Sequence, residues 1–407
     1  MPQQEPSVGS TAQVKTSAEG ASVRLGGRVV QSEGATAHVA DVLGVVAVTM
    51  ATSTPLAVGA LVVVEGTAHG GELVAARLLT SETPAQFGSS RGDVGRLLLG
   101  GVGQRLVQRA RVLAAMRAHL VAADFVEVET PALVPCPGLD VHLDGCAADG
   151  GYLITSPEYQ MKRLLVGGMP RIFQLARCFR RGERGAHHNP EFTMLEWYRA
   201  FAGYEDVMAD TEALVRVAAS AAQGHARSLT VDGRTIDLTA AFRRVTVAEA
   251  FAHHARIGAE ELVRLAQHDE DTYFGLMVER VEPALAALDQ PVFLIDYPAS
   301  QASLARRKPT DPRFSERFEL YVAGVELCNG FGELTDPAEQ RARFVADQAE
   351  RQRRGLPVYP LDERFLEALT EGMPPSGGNA LGVDRLVALA VGAGSIGAVQ
   401  SFPADEL

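Results

Sequence analysis

Short β-type segments, some mixing apolar and polar residues and others nearly all apolar, follow one another at 23–30, 36–43, 45–50, 61–66 and 73–79. Gly26, Gly27, Gly34, Gly44, Gly59, Gly70 and Gly71 separate or flank them. A period of two sends successive side chains to opposite faces of a strand, and five such strands within about 60 residues predict a small barrel. Residues 1–20 are polar and read as a disordered tail, and 84–95, PAQFGSSRGDVG, reads as a linker. The period then lengthens. Residues 104–122 space their apolar positions as a helix does, with arginines on the other side. FVEVETP at 125–131 alternates like a strand, and from residue 152 strand and helix patterns take turns to the end. The span 246–290 is mainly helical and reads as an insertion.

Composition adds limits. A chain of 407 residues holds two or three domains at about 150 residues each. Hydrophobic residues at 46% and charged residues at 22% describe an ordinary globular protein. No apolar run reaches the roughly 18 residues a membrane span needs, and the N-terminus lacks a basic start followed by an apolar stretch. The expected compartment is the cytoplasm. Cys136, Cys146, Cys178 and Cys328 form no CxxC pair, so reduced thiols are expected and not a zinc site or a disulfide framework. A net charge of −12 weighs against an extended tRNA-binding surface, because phosphate neutralisation supplies most non-specific affinity for nucleic acid. The expected barrel also lacks stacking groups. Between residues 21 and 86 there is no Phe, Tyr or Trp, and Arg24, Arg28 and Arg77 face Glu33, Asp41, Glu65, Glu72 and Glu82.

Two constellations carry candidate chemistry. In 179–198, FRRGERGAHHNPEFTMLEWY, the apolar strand RIFQLARCF delivers Arg180 to the start of a glycine-containing loop, and EFTMLEWY reads as a returning strand. Such an arm suits a triphosphate, since a guanidinium fork meets phosphate oxygens and stabilises charge that develops on phosphorus. In 317–334, RFELYVAGVELCNGFGEL, the pattern predicts a hairpin turning at Ala323 and Gly324. Tyr321 then faces Glu326, and alternation puts Glu319, Tyr321, Glu326 and Cys328 on one face. Two carboxylates projecting together can hold a divalent ion through oxygen ligands. Parity sends Asn329 to the opposite face unless a bulge intervenes near Gly330.

The 179–198 string resembles motif 2 of class II aminoacyl-tRNA synthetases, and its HNPEFTMLEWY ending resembles the lysine-type branch. FVEVETP resembles motif 1, whose proline lies at the dimer interface, and ALGVDRLVALA resembles motif 3. The three stand in the family's order and the resemblance covers 95–407. VGALVVVEGTAHGGELVAARLL resembles the closing strands of the family's N-terminal OB domain. The resemblance implies an α+β fold: an antiparallel sheet of six or seven strands flanked by helices in 96–407, a reduced OB-like barrel in 21–83, and a homodimer. It implies ATP and Mg²⁺ as cofactors. Arg180 and Arg385 are the catalytic candidates, and Glu183, His188, Asn189, Phe192, Glu326, Leu327 and Gly382 would also border the nucleotide. Glu319 and Glu326 are the metal candidates. Ser156, Glu158, Glu196, Tyr198, Asn329, Glu333 and Ala380 match positions that hold the amino acid. Three glutamates among them point to a diamino acid, because a buried ammonium needs carboxylates in place of its water.

Within that branch the chain resembles both lysyl-tRNA synthetases and the ligases that attach β-lysine to a lysine of elongation factor P. YPASQASLA at 297–305, Ala380 where the tRNA enzymes carry glycine, and the aromatic-free barrel favour the protein ligases. One methyl group can move α- against β-amino selection by about 1–3 kcal/mol. The expectation is activation of lysine or (R)-β-lysine as its adenylate and transfer to elongation factor P. A tRNA ligase and a non-catalytic paralogue remain as alternatives. FRRGER departs from the family's FRNE: Arg181 replaces the asparagine, Gly182 the glutamate, and Glu183 stands one position late.

Overall fold

The computed structural model describes residues 7–53, 55–84, 87 and 92–407. The chain divides into two compact units, Met1–Ala110 and Arg111–Leu407. That division falls inside a long helix, beyond the linker expected at 84–95, part of which lies outside the described residues.

In the first unit, β1 (Val8–Gly9) and α1 (Thr11–Thr16) precede β2 (Ser22–Glu33), β3 (Thr36–Asp41), β4 (Gly44–Met50), β5 (Leu61–His69) and β6 (Glu72–Glu82). The order β2-β3-β4-β6-β5 closes through β2–β5 pairing into a five-stranded barrel. Alternate residues of each strand, among them Leu25, Val39, Val48, Val64 and Leu73, fill its interior. The tail expectation for 1–20 needs correction. Residues 1–6 lie outside the described residues, but β1 pairs in parallel with β2 and α1 packs onto the barrel. Asp41 accepts the Thr11 amide at 2.8 Å and its hydroxyl at 2.6 Å, Ser10 caps the helix, and Val14 is fully buried in the barrel core. One apolar anchor in a short helix leaves no periodic signal to read.

The second unit holds most of α2 (Val102–Ala122), then β7 (Val126–Glu127), β8 (Leu133–Val134), β9 (Cys146–Ala148), β10 (Gly151–Leu153) and α3 (Glu158–Val166). There follow β11 (Arg171–Phe179), β12 (Glu191–Ala200), α4 (Tyr204–Gln223), β13 (Ser228–Val231), β14 (Arg234–Asp237) and β15 (Arg243–Thr246). The expected insertion is helical: α5 (Val247–Ala250), α6 (Ala259–His268), α7 (Glu270–Leu276) and α8 (Glu282–Ala286). Thr246 and Glu249 open it with a reciprocal capping box. Last come β16 (Val292–Pro298), β17 (Phe314–Val322), β18 (Val325–Gly332), α9 (Pro337–Arg353), α10 (Glu363–Gly372), β19 (Ser376–Gly382) and α11 (Val383–Ala390).

The main sheet runs β15-β16-β17-β18-β19-β12-β11-β7. Its six central strands are antiparallel, as expected. Short parallel strands at both edges raise the total to eight, above the six or seven anticipated. FVEVETP contributes only the two-residue β7 to this sheet. One face of the sheet is sealed by α4 and α11. In α4, Val207, Met208, Thr211, Leu214, Val215, Ala218 and Ala219 recur at helical spacing and are buried. With the inward side of α11 they form the main core. No helix among the described residues is long and apolar enough to cross a membrane.

Candidate active site

The other side of the sheet opens on a cavity of about 1430 Å³. Three backbone devices position its floor. The first is the arm between β11 and β12, in register from Arg171↔Arg199 to Phe179↔Glu191. Arg180 extends β11, and its amide donates to Pro190 O at 2.9 Å. Its guanidinium sits 5.0 Å from the Phe192 ring centroid and 3.7 Å from a Glu183 carboxylate oxygen. Its Nε is buried and has no hydrogen-bond partner among the described residues, a donor left over for an acceptor in the cavity. Gly182 takes φ +82°, a left-handed turn that lets Glu183 reach the cavity despite standing one position late.

The second device is the hairpin of β17 and β18. Val322↔Val325 and Tyr321↔Glu326 pair as the two-residue turn requires, and Ala323 and Gly324 both have positive φ. One step further the register slips: Leu320 faces Cys328, and Leu327 is the extra residue. This corrects the simple alternation. Cys328 turns into the core beside Leu320, while Asn329 comes opposite Glu319. The bulge that Asn329 required is present, three residues earlier than the position expected at Gly330. Glu319 accepts from Arg317 Nη2 and from the Tyr321 hydroxyl, both at 2.7 Å, and Arg317 Nε reaches Asn329 Oδ1 at 3.1 Å. Glu326 keeps 41% of its side chain exposed. Its carboxyl is raised above the usual range by desolvation and by the charge of Glu319.

The third device is the β19–α11 junction. Gly382 precedes the first turn of α11, and Arg385 projects from that turn. The Arg385 guanidinium donates to His187 O at 3.1 Å and Glu326 O at 2.8 Å, and meets His188 Nε2 at 2.8 Å. It thereby ties the arm to the hairpin. Asn189 braces the same arm through Glu191 O at 2.7 Å and the Ala404 amide at 3.0 Å.

Arg180, Glu183, His188, Asn189, Phe192, Glu319, Glu326, Leu327, Gly382 and Arg385 all border one cavity, with Ser156, Glu158, Asn329 and Ala380. Glu196, Tyr198 and Glu333 are set behind its wall. Glu196 and Glu333 are fully buried, and Tyr198 nearly so. Ser156 links the two layers: its hydroxyl donates to Glu196 Oε1 at 2.5 Å and accepts the Glu158 amide at 3.1 Å. Tyr198 donates to Glu196 Oε2 at 2.8 Å. Gly378 permits this packing, because a Cβ there would lie 2.3 Å from both Glu333 Oε1 and the Tyr198 ring.

Sequence reasoning missed Lys162. One turn after Glu158 on α3, it is fully buried, and its ammonium lies 2.5 Å from Glu158 Oε1 and 2.5 Å from Glu333 Oε2. Burial alone would lower its pKa, but Glu158 and Glu333 outweigh that and raise it, so it stays charged. One ammonium among three glutamates leaves the cluster short of positive charge. Burial, then the charge of Glu158, pushes Glu196 up to about 8. Burial likewise pushes Glu333 up to about 7, with Lys162 opposing it. The only advance signal was spacing: Glu158 and Lys162 are four apart on one helix face.

A family profile described as tRNA synthetases class II (D, K and N) matches residues 98–406. The chain is 42% identical over 320 residues to the elongation factor P–(R)-β-lysine ligase of Erwinia tasmaniensis, a match spanning 74% of this chain and 95% of that protein. It is 41% identical, with the same coverage, to the ligases of that name from Klebsiella pneumoniae strain 342 and Salmonella paratyphi B.

Proposed function

This chain belongs to the class II tRNA synthetases of the D, K and N group, and from that premise we propose that it uses ATP to activate lysine or (R)-β-lysine and transfers the acyl group to a lysine of elongation factor P. The observation carrying the proposal is the single cavity into which Arg180, Glu319, Glu326 and Arg385 converge beside Ser156 and Glu158. The acceptor follows from the ligases to which 74% of the chain is similar.

The amino-acid carboxylate attacks the α-phosphorus, the bond to pyrophosphate breaks, and a mixed anhydride forms. Arg180, with a free Nε and a guanidinium braced on Phe192, meets the charge that builds on the α-phosphate. Arg385 takes the far end of the triphosphate from the first turn of α11. The acceptor ε-amine then attacks the anhydride carbonyl. An amide forms, AMP leaves, and the amine gives up one proton. No side chain of the protein becomes a covalent nucleophile, so positioning and charge stabilisation supply the rate.

Mg²⁺ fits Glu319 and Glu326. They project from adjoining strands into one cavity, and this ion asks for one or two carboxylates with phosphate oxygens completing the shell. Among the described residues no group of three or more His, Cys, Asp or Glu forms a closed protein cage. When bound, the ion would neutralise charge on the departing pyrophosphate. Arg317 and Tyr321 hold the Glu319 carboxylate in place for it.

A second reading, a lysine-tRNA ligase, draws on the barrel. Its own arginines oppose it: Arg24 and Arg77 both pair with Glu65, and Arg28 donates to Gly59 O at 2.8 Å. The test is ATP–pyrophosphate exchange with α-lysine and (R)-β-lysine side by side, then incubation of the loaded enzyme with elongation factor P or tRNA. Exchange followed by labelling of elongation factor P is expected. Labelled tRNA with bare elongation factor P would favour the second reading, and no exchange with either isomer would overturn both.

A further inference from the structure

Lys162 occupies an unusual position for a cation. It has no exposed surface, it lies behind the cavity wall, and its ammonium sits 2.5 Å from each of two carboxylates expected to receive the substrate. The charged and titratable groups around this cluster are few. Glu158 and Tyr159 lie on the same helix, Glu196 and Tyr198 come from β12, Cys178 of β11 lies within reach of the Glu196 charge, Glu333 follows β18, and Arg306 adds its charge from beyond Glu333. Arg306 is itself paired with Glu316 at 2.6 Å.

We infer that Lys162 is a specificity-determining positioning residue, a built-in counter-charge that leaves the pocket with two net negative charges, the number that a diamino acid's two ammonium groups neutralise. With all three carboxylates ionised, as a bound dication favours, one ammonium leaves two charges uncompensated. Lysine and β-lysine bring two ammonium groups, and their carboxylate is carried off toward the nucleotide. Without Lys162 the same pocket would hold three unbalanced carboxylates. Burial does not tolerate that, so one would take up a proton and stop serving as an acceptor for the substrate. The inference rests on the amino-acid pocket proposed above.

The experiment compares the native protein with Lys162→Met and the double variant Lys162→Met/Glu333→Gln. For each, kcat/KM for lysine and (R)-β-lysine in pyrophosphate exchange is followed from pH 6 to pH 9. Native protein and Lys162→Met, uniformly labelled with [δ-¹³C]glutamate, are also titrated by NMR without substrate. The single variant should move the pH midpoint of kcat/KM upward by about one unit or more, a tenfold change in proton concentration, with KM changing far more than kcat. The double variant removes one charge of each sign and restores the net count, so its midpoint should return toward the native one whatever its overall affinity. It also keeps the test alive if the single variant fails to fold, since it removes one buried carboxylate partner of Lys162 together with Lys162 itself.

A drop in kcat/KM with the midpoint unmoved in every variant would mean that Lys162 only braces the fold. That result overturns the inference. If the native protein exchanges with neither isomer, the functional reading fails by itself. The NMR titration then decides on Lys162: a glutamate resonance shifting its midpoint upward in Lys162→Met supports the counter-charge, and identical titrations reject it.

Discussion

At the residue scale the site is governed by how many charges share a low-dielectric space. Burial, reinforced by the charge of Glu158 and opposed by Lys162, pushes the Glu196 carboxyl up to about 8 and that of Glu333 up to about 7. A cationic amino acid needs them ionised. Lowering the pH through that range protonates them and weakens binding; raising it strengthens binding. KM for the diamino acid should therefore fall from pH 6 to pH 8.5, a trend that initial-rate measurements at saturating ATP will show or exclude. Arg180 supports a second prediction. Arg180→Lys keeps the charge but loses the planar fork and the stacking on Phe192. Exchange should fall by about 10²–10³-fold, the usual loss when an aimed donor to developing charge is removed. Rates within a few-fold of native would show that the guanidinium does not meet the α-phosphate. Arg180 was legible beforehand because it stands at the end of an apolar strand. Lys162 was not, since a lysine on a helix ordinarily faces water and only the fold reveals that this one points inward.

At the element scale, strands and turns were readable where local chemistry decided them. Short β-type segments between glycines located the barrel strands, an apolar run and its return across a glycine-containing loop located the two strands of the arm, and Ala323-Gly324 located the hairpin turn. The hairpin makes a prediction of its own. Gly324 has φ +85°, and a Cβ there would lie 2.8 Å from that of Ala286. Gly324→Ala should cost more than about 1 kcal/mol of stability and reduce activity, because the turn carries Glu319 and Glu326. Ala323, at φ +51°, already carries the left-handed strain of a side chain, which asparagine tolerates better, so Ala323→Asn should raise the urea midpoint. Equal midpoints for the three proteins would show that the turn is not a seat of strain. Features that needed tertiary partners escaped the sequence. The α1 helix depends on Asp41 from β3, and the edge strand β15 pairs over only four residues.

At the scale of the whole molecule, the acidic total and the barrel's composition point the same way. A net charge of −12 repels phosphate backbones. In the barrel strands there is no Phe, Tyr or Trp, and the arginines are spent on Glu65 and on a backbone carbonyl. Immobilised tRNA should therefore not retain the protein at about 0.15 M salt, where a protein making several phosphate contacts would bind. Retention that weakens steeply with added salt would contradict this and revive a nucleic-acid role. The barrel's existence was written in its periodicity. What it serves was not, because a closed barrel supports many unrelated uses.

The extra residue in β18 has a further consequence. Leu327 is what allows Glu326 and Asn329, an odd number of positions apart, to look the same way. Excising Leu327 would iron out the kink, yet both side chains would still point at the cavity, whereas excising Val325 instead would reverse the phase of Glu326 relative to the turn. A shortened chain lacking Leu327, set beside Leu327→Ala to account for the lost buried side chain, would thus weigh the curvature of the strand as a contribution to activity separate from the chemistry of the groups it carries.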